Sequence, residues 1–323
     1  MLAADLIKRV REIQIRTGRH VADVLAGEYS SVFKGAGMEF DEVRQYLPGD
    51  DVRTIDWNVT ARAGAPHIKR YVEERQLSLM LMADISASQD YGSASRSKRE
   101  AAAELCALLA FSATQNDDKT GLILFHGEVE QYVPPRKGTK HALRVVREVL
   151  AAGEQIQRES AGRVPWWRTF LPELRRPWHQ QAKAPRESTN IAGAMEFFAS
   201  VTKRRSVCFV VSDFLDANFE RALSMANRRH DVVAVLLTDP AEIHIPNVGL
   251  VTMRDAESGN VSLVDTGSRQ FRDTLAREAN ERIAYLSERL ARRGIDFIHV
   301  DVSKPVIDPL VKFFRMRERR HRR

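Results

Sequence analysis

Cysteine is nearly absent. Cys106 and Cys208 are the only two in 323 residues, and neither has a C-x-x-C neighbour. That excludes the disulfide framework of a small secreted domain. Both lie in apolar stretches and read as buried, reduced thiols. Long apolar runs are missing as well. The longest, such as Val207–Val211, are strand-sized and fall far short of the roughly 18 residues of a membrane-spanning helix. The first residues turn charged at Asp5, Lys8 and Arg9, too early for a secretory leader, so the chain is expected to be cytoplasmic. There is no His-rich cluster, no G-x-S-x-G elbow and no G-x-x-x-x-G-K-[ST] loop; Gly138-Thr139-Lys140 is a fragment of the last. His126 and His141 are isolated and read as structural or solvated. Zinc-finger spacing, ribonucleoprotein-type aromatics and a basic stripe with interleaved aromatics are also absent. Nucleic acid is therefore not expected as a partner, despite a net charge of +7. Part of that charge sits in the tail from Arg315 to Arg323, where arginines complement the end of a helix.

What is present is an alternation of strand and helix from residue 76 onward. Leu77–Ala83 is an apolar strand running into Asp84. Ser97-Lys98-Arg99-Glu100 is a capping-box sequence, and Ala101, Leu105, Leu108, Leu109 and Ser112 follow on one helical face. Strands are predicted at 120–125, 129–133, 206–212, 232–237 and 296–300. Helices are predicted at 139–150, 191–202, 219–228, 269–292 (stopped by Gly294) and 309–317. A hairpin is expected over 250–264, with Ser258-Gly259-Asn260 as its turn. Residues 153–187 carry Pro165, Pro172, Pro177 and Pro185 and three of the four tryptophans; they read as an irregular insertion. Strands buried on both faces and separated by amphipathic helices imply an α/β fold with a doubly wound, mostly parallel sheet. The working site of such a sheet lies at the carboxyl ends of its strands. The division expected is 1–75 as an N-terminal module, 76–302 as the α/β domain and 303–323 as a C-terminal helix with a basic tail. Within the first module, 1–18 reads as an amphipathic helix, and 30–75 as loops with a few strands.

Asp84-x-Ser86-x-Ser88 follows the first core strand directly. One carboxylate and two hydroxyls at alternate positions of a loop can turn their oxygens toward one hard cation, which takes oxygen ligands. The motif is short, and an ordinary turn or helix cap explains it equally well. Two later residues add weight. Thr189 opens a helix, and Asp213 ends the next long apolar strand. If the two strands are neighbours in a parallel sheet, Asp84, Ser86, Ser88, Thr189 and Asp213 meet at one edge as a metal site. Singly, Thr189 reads as an N-cap and Asp213 as a strand-end turn residue.

The D-x-S-x-S, later Thr and later Asp pattern resembles the metal-ion-dependent adhesion site of von Willebrand factor A domains. The block from Gly37 to Trp57, with Thr60-Ala61-Arg62 and Tyr71–Arg75, resembles the signature of the family called domain of unknown function 58, over about residues 20–240. The resemblance implies a von Willebrand factor A-like fold and Mg²⁺, or another divalent cation such as Mn²⁺ or Ca²⁺. It also implies a protein partner that supplies an Asp or Glu to the metal, and an association with MoxR-type AAA+ ATPases. The sequence departs from the pattern at Phe214, where glycine is frequent. On its own chemistry the block mixes acids (Asp41, Asp50, Asp51, Asp56) with arginines (Arg44, Arg53, Arg62). It reads as an ion-pair network that docks the N-terminal module on the sheet.

Two functions remain in view. The first is a non-enzymatic, metal-dependent protein-binding module, an adaptor or co-chaperone of the ATPase. The second is a metal-dependent hydrolase of the phosphatase or phosphodiesterase kind, with acids of 37–75 as general bases.

Overall fold

A computed structural model describes residues 38–73, 77–93, 96–160, 189–254 and 261–321, with backbone alone at 38–41, 70–73, 153–160, 254 and 321. The amphipathic segment expected at 1–18, most of the 153–187 insertion and the hairpin turn at 258–260 lie outside these residues. The chain divides into two compact units, with a boundary between Leu77 and Ser78.

The smaller unit contains β1 (Met38–Gln45), α1 (Trp57–Ala63) and β2 (His67–Glu73), with β1 and β2 paired antiparallel and a register shift between Phe40 and Glu42. Its charges build its own turns. Arg44 grips Asp50 with both guanidinium arms, at 2.8 and 2.7 Å, while the Leu47 amide donates to the same carboxylate at 2.8 Å. Asp56 caps α1 through the amides of Asn58 and Val59 and pairs with Lys69 at 3.2 Å. Of the acid–arginine pairs expected of this block, Arg44–Asp50 is present and lies inside the unit, while Asp56 pairs with a lysine. Helix α1 was missed because seven residues leave no periodicity to read; its only sequence signals are the Asp56 cap and Gly64, which takes φ 70° at the C-cap.

The larger unit runs β3 (Ser78–Asp84), α2 (Lys98–Gln115), β4 (Lys119–Phe125), β5 (Val129–Arg136), α3 (Thr139–Ser160), α4 (Ile191–Val201), β6 (Val207–Ser212), α5 (Phe219–Asn227), β7 (Asp231–Thr238), α6 (Pro240–Ile243), β8 (Leu250–Arg254), β9 (Val261–Asp265), α7 (Arg269–Arg292), β10 (Asp296–Asp301) and α8 (Ile307–His321). Six strands form one sheet in the order β10-β7-β6-β3-β4-β5, parallel except for the antiparallel edge strand β5. Strands β8 and β9 make a separate antiparallel ribbon. The chain steps from β3 outward through β4 and β5, then returns to the other side of β3 for β6, β7 and β10. The winding thus reverses between β3 and β6, which are adjacent and parallel.

Alternation along the strands sends side chains to both faces. Met80, Met82, Cys208, Val210 and Ala234 meet α4, α5 and α7 on one face. On the other lie α2, α3 and α8, with Phe209 edge-on to Phe313 of α8 at 6.3 Å. The predicted doubly wound α/β fold is present.

Three expectations change. Helix α2 begins at the expected capping box, with Ser97 and Glu100 exchanging bonds, but it is buried all round rather than on one face. Its alanines at 101–103, 107, 110 and 113 make that possible, since small side chains let neighbouring backbones approach from every side. Helix α3 continues to Ser160, which takes the first eight residues of the expected insertion. The C-terminal arginines do not all face solvent: Arg317 pairs with Asp231 and Asp296, and Arg320 with Asp296.

Candidate functional site

The winding reverses between β3 and β6, and the carboxyl ends of the strands at such a reversal are where doubly wound sheets hold ligands. Asp84 is the last residue of β3 and is 2% exposed. Its Oδ1 accepts the Ser86 amide at 2.9 Å. Its Oδ2 accepts Ser212 Oγ at 2.6 Å and, more distantly, Thr189 Oγ1 at 3.4 Å. Ser86 and Ser88 face each other, Oγ to Oγ, at 3.0 Å, and both are buried. Asp84, Ser86, Ser88 and Thr189 therefore converge, drawn from two loops more than 100 residues apart in the chain.

The loops are tied by backbone groups. The Ile85 amide donates to Phe125 O at 2.8 Å, and the Asn190 amide to His126 O at 2.9 Å. Asn190 caps α4 through the Gly193 amide, and Asp216 accepts the Ile191 amide at 2.9 Å. Thr189 thus precedes the cap, and its hydroxyl is turned to Asp84.

Asp213 follows β6 and is fully buried. One of its oxygens, Oδ2, is 3.2 Å from Lys98 Nζ; the other, Oδ1, is buried with no hydrogen-bond partner. Its carbonyl accepts Arg282 of α7 at 3.2 Å. Next to it, Phe214 takes φ 51°, the left-handed region that glycine enters freely. Phe214 occupies it because its ring is buried in the core against Phe219, at 5.2 Å between centroids. The departure from glycine at this position thus places a core side chain on a left-handed backbone.

Three residues of the site escaped the sequence reading. Lys98, at the first turn of α2, is 1% exposed and salt-bridged to both Asp213 and Glu242. Glu242, in α6, also closes a capping box with Asp239, and Asp239 receives the Ser93 amide at 2.8 Å. Ser212 bridges Asp84 and the Phe214 amide. Asp239-Pro240-x-Glu242 is itself a capping-box pattern and was available to find α6. Nothing local marks Lys98 or Ser212.

Burial pushes the Asp84 carboxyl up to about 6, and the nearby charge of Asp213 adds to this, against the pull of the Ser212 and Ser86 hydrogen bonds. For Lys98, burial works against the ammonium, but Asp213 and Glu242 together outweigh it and hold the group above its ordinary value. Ser212→Ala removes a bond to the charged form of Asp84, so the Asp84 titration midpoint is expected to move higher still. Carboxyl-selective ¹³C NMR across pH 4–8 reads this directly, and an unmoved midpoint would show that the Ser212 bond is not felt.

The donor chemistry fits a hard divalent cation. The side-chain atoms brought together from Asp84, Ser86, Ser88 and Thr189 are all oxygens, with one carboxylate among them; Asp213 Oδ1 is a buried acceptor without a hydrogen-bond partner, and its Oδ2 faces the Lys98 ammonium. Among the described residues no group of three or more His, Cys, Asp and Glu side chains comes together as a metal cluster, so such a site would depend on its hydroxyls.

Strand order and the antiparallel edge define the class: a doubly wound α/β domain with a mostly parallel sheet whose winding reverses between β3 and β6. A family model matches residues 42–285, and the chain belongs to that family, described as Protein of unknown function DUF58. It is similar to the uncharacterized proteins Rv1480 of Mycobacterium tuberculosis and Mb1516 of Mycobacterium bovis, each 29% identical over 315 residues, which cover 97% of this chain and 90% of the relative. Among solved structures it is similar to BatB from Bacteroides thetaiotaomicron, at 16% identity and TM-score 0.41, over 75% of this chain and all but 1% of that one (99% covered). It is also similar to the von Willebrand factor A domain of SpRpn10, at 14% identity and TM-score 0.28, over 50% and 75% of the two chains. Neither structural likeness is near enough to inform function. No helix among the described residues is long and apolar enough to cross a membrane.

Proposed function

We propose that the chain is a metal-dependent protein-binding module. Asp84, Ser86, Ser88 and Thr189 would hold Mg²⁺ or a similar divalent cation, with Asp213 as an outlying carboxylate. The cation would supply a Lewis-acidic point that a partner's Asp or Glu completes. The observation carrying this reading is the convergence of the Asp84 carboxylate with the hydroxyls of Ser86, Ser88 and Thr189 at the reversal of the sheet. A MoxR-type AAA+ ATPase is the partner proposed, on the strength of the family resemblance alone.

The hydrolase alternative has less support. A general base needs a carboxylate free to take a proton near neutrality. Asp50 is held below the ordinary carboxylate range by Arg44 and the Leu47 amide, and Asp56 by the Val59 amide and Lys69. Both are occupied as structural anions.

Isothermal titration of Mg²⁺ is expected to show saturable binding to the protein and none to Asp84→Ala. Pull-down of the ATPase should then fail in EDTA and with the variant. Equal Mg²⁺ binding by both proteins would end this reading.

A further inference from the structure

Lys98 is the most unusual group in the larger unit. It is an ammonium at 1% exposure, on the first turn of α2, lying between two carboxylates from separate loops. Asp213 Oδ2 is 3.2 Å from Nζ, and Glu242 lies in direct contact with it. Buried ammonium groups persist only when well paired, and here two partners share one cation. The two are not equivalent. Asp213 follows β6, its charge acts on the Asp84 carboxyl, and it keeps one buried oxygen without a partner. Glu242 belongs to α6, where it is bonded to the Asp239 amide at 3.1 Å. Through Asp239 it is connected to Ser93, in the loop that leads from the Asp84 motif to α2.

We propose that Lys98 is a built-in competitor of the divalent cation, an internal ammonium that neutralises Asp213 while the metal is away and leans on Glu242 when it is bound. The inference rests on the metal reading above and adds its regulation. Two positive charges a few ångströms apart in a poorly screened interior repel strongly. A dication that draws on Asp213 therefore loosens the hold of Asp213 on Lys98, and Glu242 is the carboxylate left to receive the ammonium. The second consequence lies away from Asp84. Glu242 holds the first turn of α6, and the exposed β8–β9 ribbon follows α6 in the chain. A change at Lys98 thus has a bonded route through Glu242 and Asp239 to the surface at Ser93.

The test is Mg²⁺ and Mn²⁺ titration by calorimetry on the whole chain, with circular dichroism to verify folding. Lys98→Met is expected to bind the cation at least tenfold more tightly. Glu242→Gln, which leaves Lys98 no alternative partner, is expected to bind it at least tenfold more weakly. In an Asp213→Asn background the gain from Lys98→Met should shrink, because the competition runs through that carboxylate. If Lys98→Met does not fold, Lys98→Gln and Glu242→Gln keep the comparison open. A Lys98 with only a packing role predicts unchanged or weaker binding in Lys98→Met, and that result overturns the proposal. If the unaltered protein binds neither cation, the metal reading itself fails, an outcome distinct from a wild type that binds and a Lys98→Met that binds equally.

Discussion

Asp84→Asn is expected to make the metal-free protein more stable at pH 8, by about 2–3 kcal/mol. The carboxyl titrates near 3.8 when exposed and at about 6 in the fold. The folded state therefore holds this proton more tightly than the unfolded chain, and stability falls as pH rises between those two values. Below 3.8 the group is neutral in both states and imposes no penalty; above about 6 the penalty is complete. At 1.36 kcal/mol per pH unit the interval is worth about 3 kcal/mol. The amide removes the charge and keeps the shape. Urea unfolding in EDTA should show the variant gaining on the parent from pH 4 to pH 6 and leading by a constant margin above. Mg²⁺ added at pH 8 should then raise the melting temperature of the parent and leave the variant unmoved. On the proposed metal reading the proton and the cation would compete for one group, so the Mg²⁺ affinity of the parent should fall by about tenfold per unit below pH 6. A variant less stable than the parent at pH 8 would mean that the hydrogen bonds of Ser86 and Ser212 outweigh the burial of the charge.

Lys98→Met is expected to act in the opposite direction. It leaves the fully buried Asp213 carboxylate without its salt-bridge partner, and removing one member of a buried pair costs about 3–5 kcal/mol. Asp213→Asn in the same chain should recover part of the loss, since the amide needs no counter-charge. The four proteins of that cycle, unfolded in urea without metal at pH 7, give the coupling energy of the pair. Strict additivity would show that Lys98 is held by Glu242 alone.

The parts of this molecule legible in its sequence are those decided by neighbours along the chain. Strands β3, β4, β6 and β7 are apolar runs bounded by polar residues, and each was placed to within a residue or two. Asp84, Ser86 and Ser88 lie together at the end of β3, and their alternate spacing was enough to group them. Thr189 and Asp213 needed one further step, the adjacency of β3 and β6, and the parallel pairing of those strands supplies it. What could not be read depends on distant partners. Lys98 looked like the inside of a capping box, and its role comes from Asp213, 115 residues away. Ser212 looked like the polar end of a strand, and it serves Asp84 from 128 residues away. Helix α2 looked one-sided because alanine carries too little hydrophobic signal to reveal that its other sides are covered too. The short helices α1 and α6 were announced only by their caps, Asp56 and Asp239.

The pairing of β3 with β6 also sets how the chain can vary and how fast it can fold. The intervening segment contains α2 to α4, with residues 161–188 between the last two helices. Closing a chain segment costs entropy that grows only with the logarithm of its length, about 0.6 kcal/mol for each doubling. The equilibrium cost of bringing β3 and β6 together is therefore only weakly sensitive to the number of residues between them. Speed is another matter, because contacts between distant residues are slow to find. The junction of β3 with β6 around Asp84 should be among the last features to assemble, after the local β4–β5 hairpin and the helices have formed. In a refolding experiment, protection of the Ser86 and Phe214 amides is expected to lag behind that of the β4–β5 pair.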